Sequence, residues 1–305
     1  MLLNDEPKLF FELINKTSLY FNIRVDYVEK DYWLVLLLKH IMSKNQGYVF
    51  KGGTSLSKCY KLINRFSEDI DISYSTPFGE LACTDINRKF KGISNSINEI
   101  GLSIENKEHL RRNAYFNRYI CPYQSIFNEP GINKAIIVEL AGQTPSFPLA
   151  KMPIQTFIGE YLHAAHRDDL IKEYELDSFE IEVQSLSRTI VDKTFALCDY
   201  YLSKRTERNS RHIYDIHKIL PFITLNEEIK KLFLKVRSYR QQLPICLSSR
   251  DGIKLSELFE KLIFEETFKN DYESLTKGLL YDKVKYKDCV DSLNTLLTFL
   301  KENNL

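Results

Sequence analysis

Lys51-Gly52-Gly53-Thr54-Ser55-Leu56-Ser57-Lys58, followed closely by Arg65-Phe66-Ser67-Glu68-Asp69-Ile70-Asp71-Ile72, decides how the chain is read. Tyr48-Val49-Phe50 upstream is a short strand candidate that the glycine pair breaks, and Thr54 is expected to cap a helix running to about Ile63. A glycine pair at a helix start presents backbone N–H groups with no Cβ in the way. Phosphate oxygens can sit there, with Thr54, Ser55 or Ser57 as further donors. Residues 69–74 then alternate strictly, which on a strand places Asp69, Asp71 and Ser73 on one face and Ile70, Ile72 and Tyr74 on the other. Two carboxylates on one face can reach the same hard cation, and Mg2+ takes such oxygen ligands with substrate phosphates completing its shell. An isolated D-x-D is more often a solvated strand face; the glycine turn directly upstream changes that weighting.

The glycine turn is not a P-loop, because G-x-x-x-x-G-K-[ST] is absent and Lys51 precedes the glycines. Further along, residues 135–141 read as a strand in which Glu139 interrupts an apolar run, either as a third metal ligand or as a partnered structural acid. Strands are also expected over 102–104 and 115–123, helices over 7–21 and 84–100, and a loop over 145–153. Asp26 with Glu29 forms a capping-box pattern that should start a second helix carrying Trp33, Leu36, Leu37 and Ile41 on one face. Beyond Gln184 the apolar spacing is helical over 186–202, 210–220, 225–239, 255–268 and 286–300. The fold class expected is α+β, with a mixed sheet and flanking helices over 1–184 and a helical lobe over 185–305.

Composition narrows the class. The 305 residues are 44% hydrophobic and 27% charged, which excludes a disordered or fibrous chain. A net charge of +1 leaves no global attraction to nucleic acid, so any such preference is local. Arg111-Arg112 with Tyr115 and Arg118, then Arg205, Arg208 and Arg211, then Arg237-Ser238-Tyr239-Arg240, are the local basic clusters. Six cysteines with no C-x-x-C pair argue against zinc and a disulfide framework, and His212 with His217 lacks the i, i+4 spacing of a metal pair. The first residues carry acids where a secretory leader would be basic, and Trp33–Leu38 is far shorter than a spanning helix, so a cytoplasmic protein with no membrane partner is expected.

The two opening blocks together resemble the AbiEii/AbiGii nucleotidyltransferase toxin family, of the DNA polymerase β-like superfamily. Glu29-Lys30-Asp31-Tyr32-Trp33, Asp192-Lys193 and Arg211-His212-Ile213-Tyr214-Asp215-Ile216 also resemble its blocks. The resemblance implies a nucleotidyltransferase lobe followed by a helical lobe, in a toxin of a type IV-like toxin–antitoxin or abortive-infection system. It further implies transfer of a nucleoside monophosphate from an NTP to an RNA 3′ end, tRNA above all, and inhibited translation.

Carried over by position, Asp69 and Asp71 would hold Mg2+, with Glu139 as a further ligand. Lys51, Gly52, Gly53, Thr54, Ser55, Ser67 and Arg211 would bind the nucleotide, Lys193 would meet phosphate, and Asp215 would complete the site. Lys193 is otherwise a surface lysine, and Asp215 could instead pair with Arg211 one helical turn earlier. His212 departs from the acid expected after Arg211 in many relatives. A cognate antitoxin is the partner implied. Transfer to a protein hydroxyl or a small molecule such as an aminoglycoside, and a non-catalytic binding module, are the alternatives that the residues leave open.

Overall fold

The computed structural model describes residues 1–65, 67–76, 83–110, 116–127 and 132–305, the side chain of Cys83 excepted. Phe66, Arg111, Arg112 and Tyr115 of the expected motifs lie outside the described residues. Gly52 adopts φ +79°, where a side chain would be strained, and there β1 (Tyr48–Lys51) turns directly into α3 (Gly52–Lys58). Lys51 occupies the cap position, so Thr54 lies inside the helix rather than capping it. The helix also stops at Lys58, well short of residue 63, where Asp31 takes up the lysine ammonium at 2.6 Å.

The chain divides into two units, each discontinuous. Met1–Cys59, Glu68–Pro145 and Ala150–Val183 make the first, and Tyr60–Ser67, Ser146–Leu149 and Gln184–Leu305 make the second. In the first, β1, β2 (Asp69–Tyr74), β3 (Phe116–Pro122), β4 (Ala135–Ala141), β5 (Leu149–Ile154) and β6 (Phe179–Gln184) form a mixed sheet in the order β3-β4-β2-β1-β6-β5. β1 runs antiparallel to β2, β2 parallel to β4, and β4 antiparallel to β3. One register row therefore reads Lys51, Asp71, Glu139, Arg118, all on the same face. The other face carries Tyr48, Ile72 and Tyr74, and α4 (Cys83–Glu99) covers it: Lys89 O accepts from Tyr48 Oη at 2.7 Å, and Phe90 O from Tyr119 Oη at 3.2 Å. α1 (Pro7–Phe21), α2 (Val25–Lys44), α5 (Phe157–Ala164) and α6 (Asp168–Glu173) complete this α+β unit.

Further expectations change. Residues 102–104 form no strand: Leu102 and Ile104 are buried, which explains the apolar pattern, but Leu102 N turns back to Ile97 O at 3.2 Å and Glu105 N reaches Ile120 O at 2.9 Å. The stretch expected as a loop over 145–153 contains β5, the last strand in the order of the sheet, a position where Pro153 is tolerated. α2 starts without a side-chain cap; Asp26 pairs with Arg24, and Glu29 is drawn away to Ser125 and Ile126.

In the second unit, α7 (Leu186–Leu202) begins at Ser185, whose Oγ accepts from Arg188 N. It packs with α8 (Arg211–Ile219), α9 (Glu227–Arg240) and α10 (Leu255–Phe264), and the helix Tyr286–Glu302 closes on α8 and α10. Phe195, Phe233, Phe259, Leu293 and Leu296 fill the core between them. α10 ends before residue 268 because Glu266 turns left-handed at φ +47°. Cys59, Cys121, Cys198, Cys246 and Cys289 are buried free thiols, and no described helix is long and apolar enough to cross a membrane.

Candidate active site

In the first unit, the register brings the expected acids together. Asp69 and Asp71 share a strand face, and Glu139 stands directly beside Asp71 on the parallel neighbour. Asp71 also lies against the glycine turn: a Cβ built on Gly52 would come within 2.7 Å of Asp71 Cγ, and closer still to Oδ2. The carboxylate thus rests on backbone at the first residue of α3, the helix end that carries positive dipole. Ser55 Oγ donates to Gly52 O at 2.9 Å and Ser57 Oγ to Thr54 O at 3.1 Å, so these hydroxyl protons brace the turn. Arg118 Nε approaches Glu139 Oε1 at 3.5 Å, so Glu139 is an ion-pair partner of Arg118. Among the described residues no group of three or more acids, histidines or cysteines is gathered as a metal cage. The donor set nevertheless suits Mg2+: all its atoms are hard oxygens, and two carboxylates leave the remaining positions to substrate phosphates and water.

Three consecutive residues of α2 hold the segments that carry these groups. Glu29 accepts from Ser125 Oγ at 2.6 Å and from Ile126 N at 2.8 Å. Lys30 pairs with Glu68, the residue before β2, and donates to Asn133 O at 2.8 Å ahead of β4. Asp31 takes Lys58 at the end of α3 and accepts from Phe157 N, at the start of α5, at 2.7 Å. The Lys58 ammonium also lies 3.7 Å from the centroid of the Phe157 ring. Burial pushes the Asp31 carboxyl above its ordinary value against the pull of Lys58. Glu29 carries a sequence reading only as part of the capping box, and the further signal for the trio is three charged residues in succession directly before the apolar run Tyr32–Leu38.

In the second unit, Asp215 is fully buried, and its partners are Arg65 and Lys193 rather than Arg211. Arg65 donates from Nε to Oδ1 at 2.7 Å and from Nη2 to Oδ2 at 2.8 Å, while Lys193 Nζ meets Oδ2 at 2.6 Å. Burial alone would raise the Asp215 carboxyl, but the two cations outweigh it and hold it below the usual carboxylate range. Burial lowers Lys193, with Asp215 opposing and Arg65 and Arg211 adding to the fall. His212 Nδ1 lies 3.4 Å from Lys193 Nζ, and the ring stacks on Tyr200. Burial, then Lys193 and Arg211, keep His212 well below its ordinary value, so it is neutral near pH 7.

Of the other expected residues, Arg211 is exposed at the first position of α8, and Ser67 closes the segment of the second unit that precedes Glu68. Arg205 and Arg208 are exposed as well. Arg240 instead pairs with Asp199 over the Phe195 ring, and the Tyr239 ring packs on Phe147, so that cluster is spent inside its unit.

A family model described as "Nucleotidyl transferase AbiEii toxin, Type IV TA system" matches residues 36–296. No curated protein matches the chain. Among solved structures, MenT4, a nucleotidyltransferase toxin from Mycobacterium tuberculosis H37Rv, superposes with a TM-score of 0.56 at 21% identity, over 90% of this chain and 85% of that one. A candidate nucleotidyltransferase from H. pylori gives a TM-score of 0.44 at 18% identity, over 87% of this chain and 92% of its own. The first of these likenesses shows the fold.

Proposed function

The chain belongs to the AbiEii nucleotidyltransferase toxin family of type IV toxin–antitoxin systems, and on that premise we propose that it moves a nucleoside monophosphate from an NTP to the 3′ end of RNA, tRNA above all, and so stops translation. Membership makes it a nucleotidyltransferase with an NTP substrate and an antitoxin partner. The acceptor, the choice of Mg2+ and the cytoplasmic setting are our own reading. The observation that carries it is the pair of same-face acids, Asp69 and Asp71, lying beside a glycine backbone that only a residue without Cβ can supply.

In this reading Asp69 and Asp71 would hold Mg2+, with Glu139, the partner of Arg118, as a further ligand beside them. The ion would supply Lewis-acid charge at the α-phosphate and at the attacking hydroxyl. The N–H groups of Gly52, Gly53 and Thr54 would receive triphosphate oxygens with Ser55 closing the same turn, and Lys51 at the helix cap would add a cation. Lys193 would meet phosphate as the pyrophosphate leaves, held by Asp215, while Ser67 and Arg211 would contact nucleotide. Exposed Arg205, Arg208 and Arg211 support an RNA acceptor, since a local cluster can follow a phosphate backbone in a chain of near-neutral net charge.

The test is incubation of purified protein with each labelled NTP, Mg2+ and total tRNA. Label is expected in tRNA with the native chain and absent with Asp71→Asn. Label in protein or in a small molecule would move the acceptor elsewhere. No transfer to any acceptor, with native and Asp71→Asn chains alike, would defeat the reading.

A further inference from the structure

The buried cluster around Asp215 contains a charged residue, Arg65, that the proposed chemistry does not use. Arg65 lies on a segment bound from two sides within the second unit. Asn64 N donates to Tyr214 Oη at 3.0 Å, Tyr281 N donates to Asn64 O at 2.8 Å, and Arg65 forms an antiparallel bridge with Leu280. Tyr214 Oη in turn donates to Asp282, which also takes Lys218 Nζ at 3.0 Å. Adjacent residues of α8, Tyr214 and Asp215, therefore grip adjacent residues of the segment, Asn64 and Arg65. At 5% exposure, Arg65 has little water to replace these partners.

We propose that Arg65 is a positioning residue for Lys193: its guanidinium fork fixes the rotation of the Asp215 carboxylate, and Oδ2, shared by both cations, fixes the Lys193 ammonium. A lysine–carboxylate pair alone permits rotation about the carboxylate axis, whereas a planar fork on both oxygens does not. The charges also leave a direction. Two cations share one buried carboxylate, His212 is neutral and Arg211 is a further cation nearby, so the cluster carries a net positive charge that an anionic phosphoryl group would neutralise. This rests on the reading that Lys193 meets phosphate, but the coupling of Arg65 to Lys193 can be measured apart from it.

Two readouts on the full chain separate the cases: pyrophosphate release with NTP and total RNA, and the pH dependence of Lys193 acetylation followed by mass spectrometry. The charged and titratable groups facing Lys193 are Asp215, Arg65, Arg211 and His212. Arg65→Lys, which keeps the charge and loses the fork, is expected to lower kcat at least tenfold with KM for NTP changed less than threefold. Arg65→Gln is expected to do the same and to move the Lys193 acetylation profile to higher pH, because a neighbouring cation is gone. A role confined to stability would lower the melting temperature and leave kcat per folded molecule and the Lys193 profile in place. A folded Arg65 variant with kcat within twofold of native and an unchanged profile overturns the proposal. Should neither variant fold, Tyr214→Phe, which removes the hold of α8 on Asn64 N while the bond from Tyr281 N stays and the charges of the cluster are intact, must lower kcat severalfold, and unchanged kcat overturns it. If the native chain releases no pyrophosphate, the functional reading fails, while the Lys193 profile still decides whether Arg65 acts on it.

Discussion

Gly52 and Asp71 are in such close approach that the glycine hydrogen occupies the only space between the turn and the carboxylate; a methyl there would sit 2.7 Å from Asp71 Cγ. Gly52→Ala also forces a side chain onto φ +79°. The expected outcome is a destabilisation of about 1–3 kcal/mol in urea unfolding and a fall in transfer of roughly 100-fold, the scale of a misplaced reacting group. A variant with native activity would show that Asp71 has no fixed place against the turn.

Glu139 has two neighbours that imply different roles, Asp71 in register and Arg118 at 3.5 Å. If it helps to hold the ion, Glu139→Gln raises the Mg2+ concentration for half-maximal rate by about tenfold, the scale of an altered ligand environment, and Arg118→Ala does not. If Glu139 serves only Arg118, the two variants behave alike. A magnesium titration of both decides.

Asp31→Ala leaves the Lys58 ammonium buried without its carboxylate and frees Phe157 N. Breaking one side of a buried pair costs about 3–5 kcal/mol, and that loss is expected in urea unfolding of the first unit. Replacing Asp31 and Lys58 together with apolar residues of similar size should cost less than Asp31→Ala alone, which a double-mutant comparison reads directly.

Stability is expected to fall with acidification in two stages. His212 is held well below 6.5 in the folded chain, by burial first and then by Lys193. A depressed pKa means the unfolded chain binds the proton first, so this contribution is full above pH 6.5 and declines as pH drops beneath it. His40 and His217 are depressed by burial in the same direction, so His212→Phe should reduce the slope below pH 6.5 without abolishing it. Asp215, also depressed, adds its loss only as pH falls below 3.8. Melting temperature against pH for native and His212→Phe chains checks the order.

Much of this was legible where chemistry and geometry are local. Helices over 7–21 and 186–202 follow from apolar spacing alone, and the same-face placement of Asp69 and Asp71 follows from strand alternation. The turn at Gly52 follows from glycine's freedom at positive φ. Where α10 ends and where α3 is capped are local matters of backbone at Glu266 and Lys51, but three other failures share a cause, a partner distant in sequence. Glu29 looks like a helix cap until Ser125 and Ile126 are brought to it, and β5 looks like a loop until it is placed at the sheet edge. Arg65 as the partner of Asp215 has no local signature at all, because 150 residues separate them.

That separation has a cost in time during synthesis. Tyr60–Ser67 is made early, between the glycine turn and the acid strand, yet it belongs to the unit completed last. Arg65 leaves the ribosome 150 residues before Asp215, and at roughly 5–20 residues per second the wait is on the order of 10 s. Tyr281, which closes on Asn64, comes later still. A nascent chain therefore carries its acids and its glycine turn well before Lys193 can be held in place, and the ordered cluster arrives only as translation nears the end of this sequence.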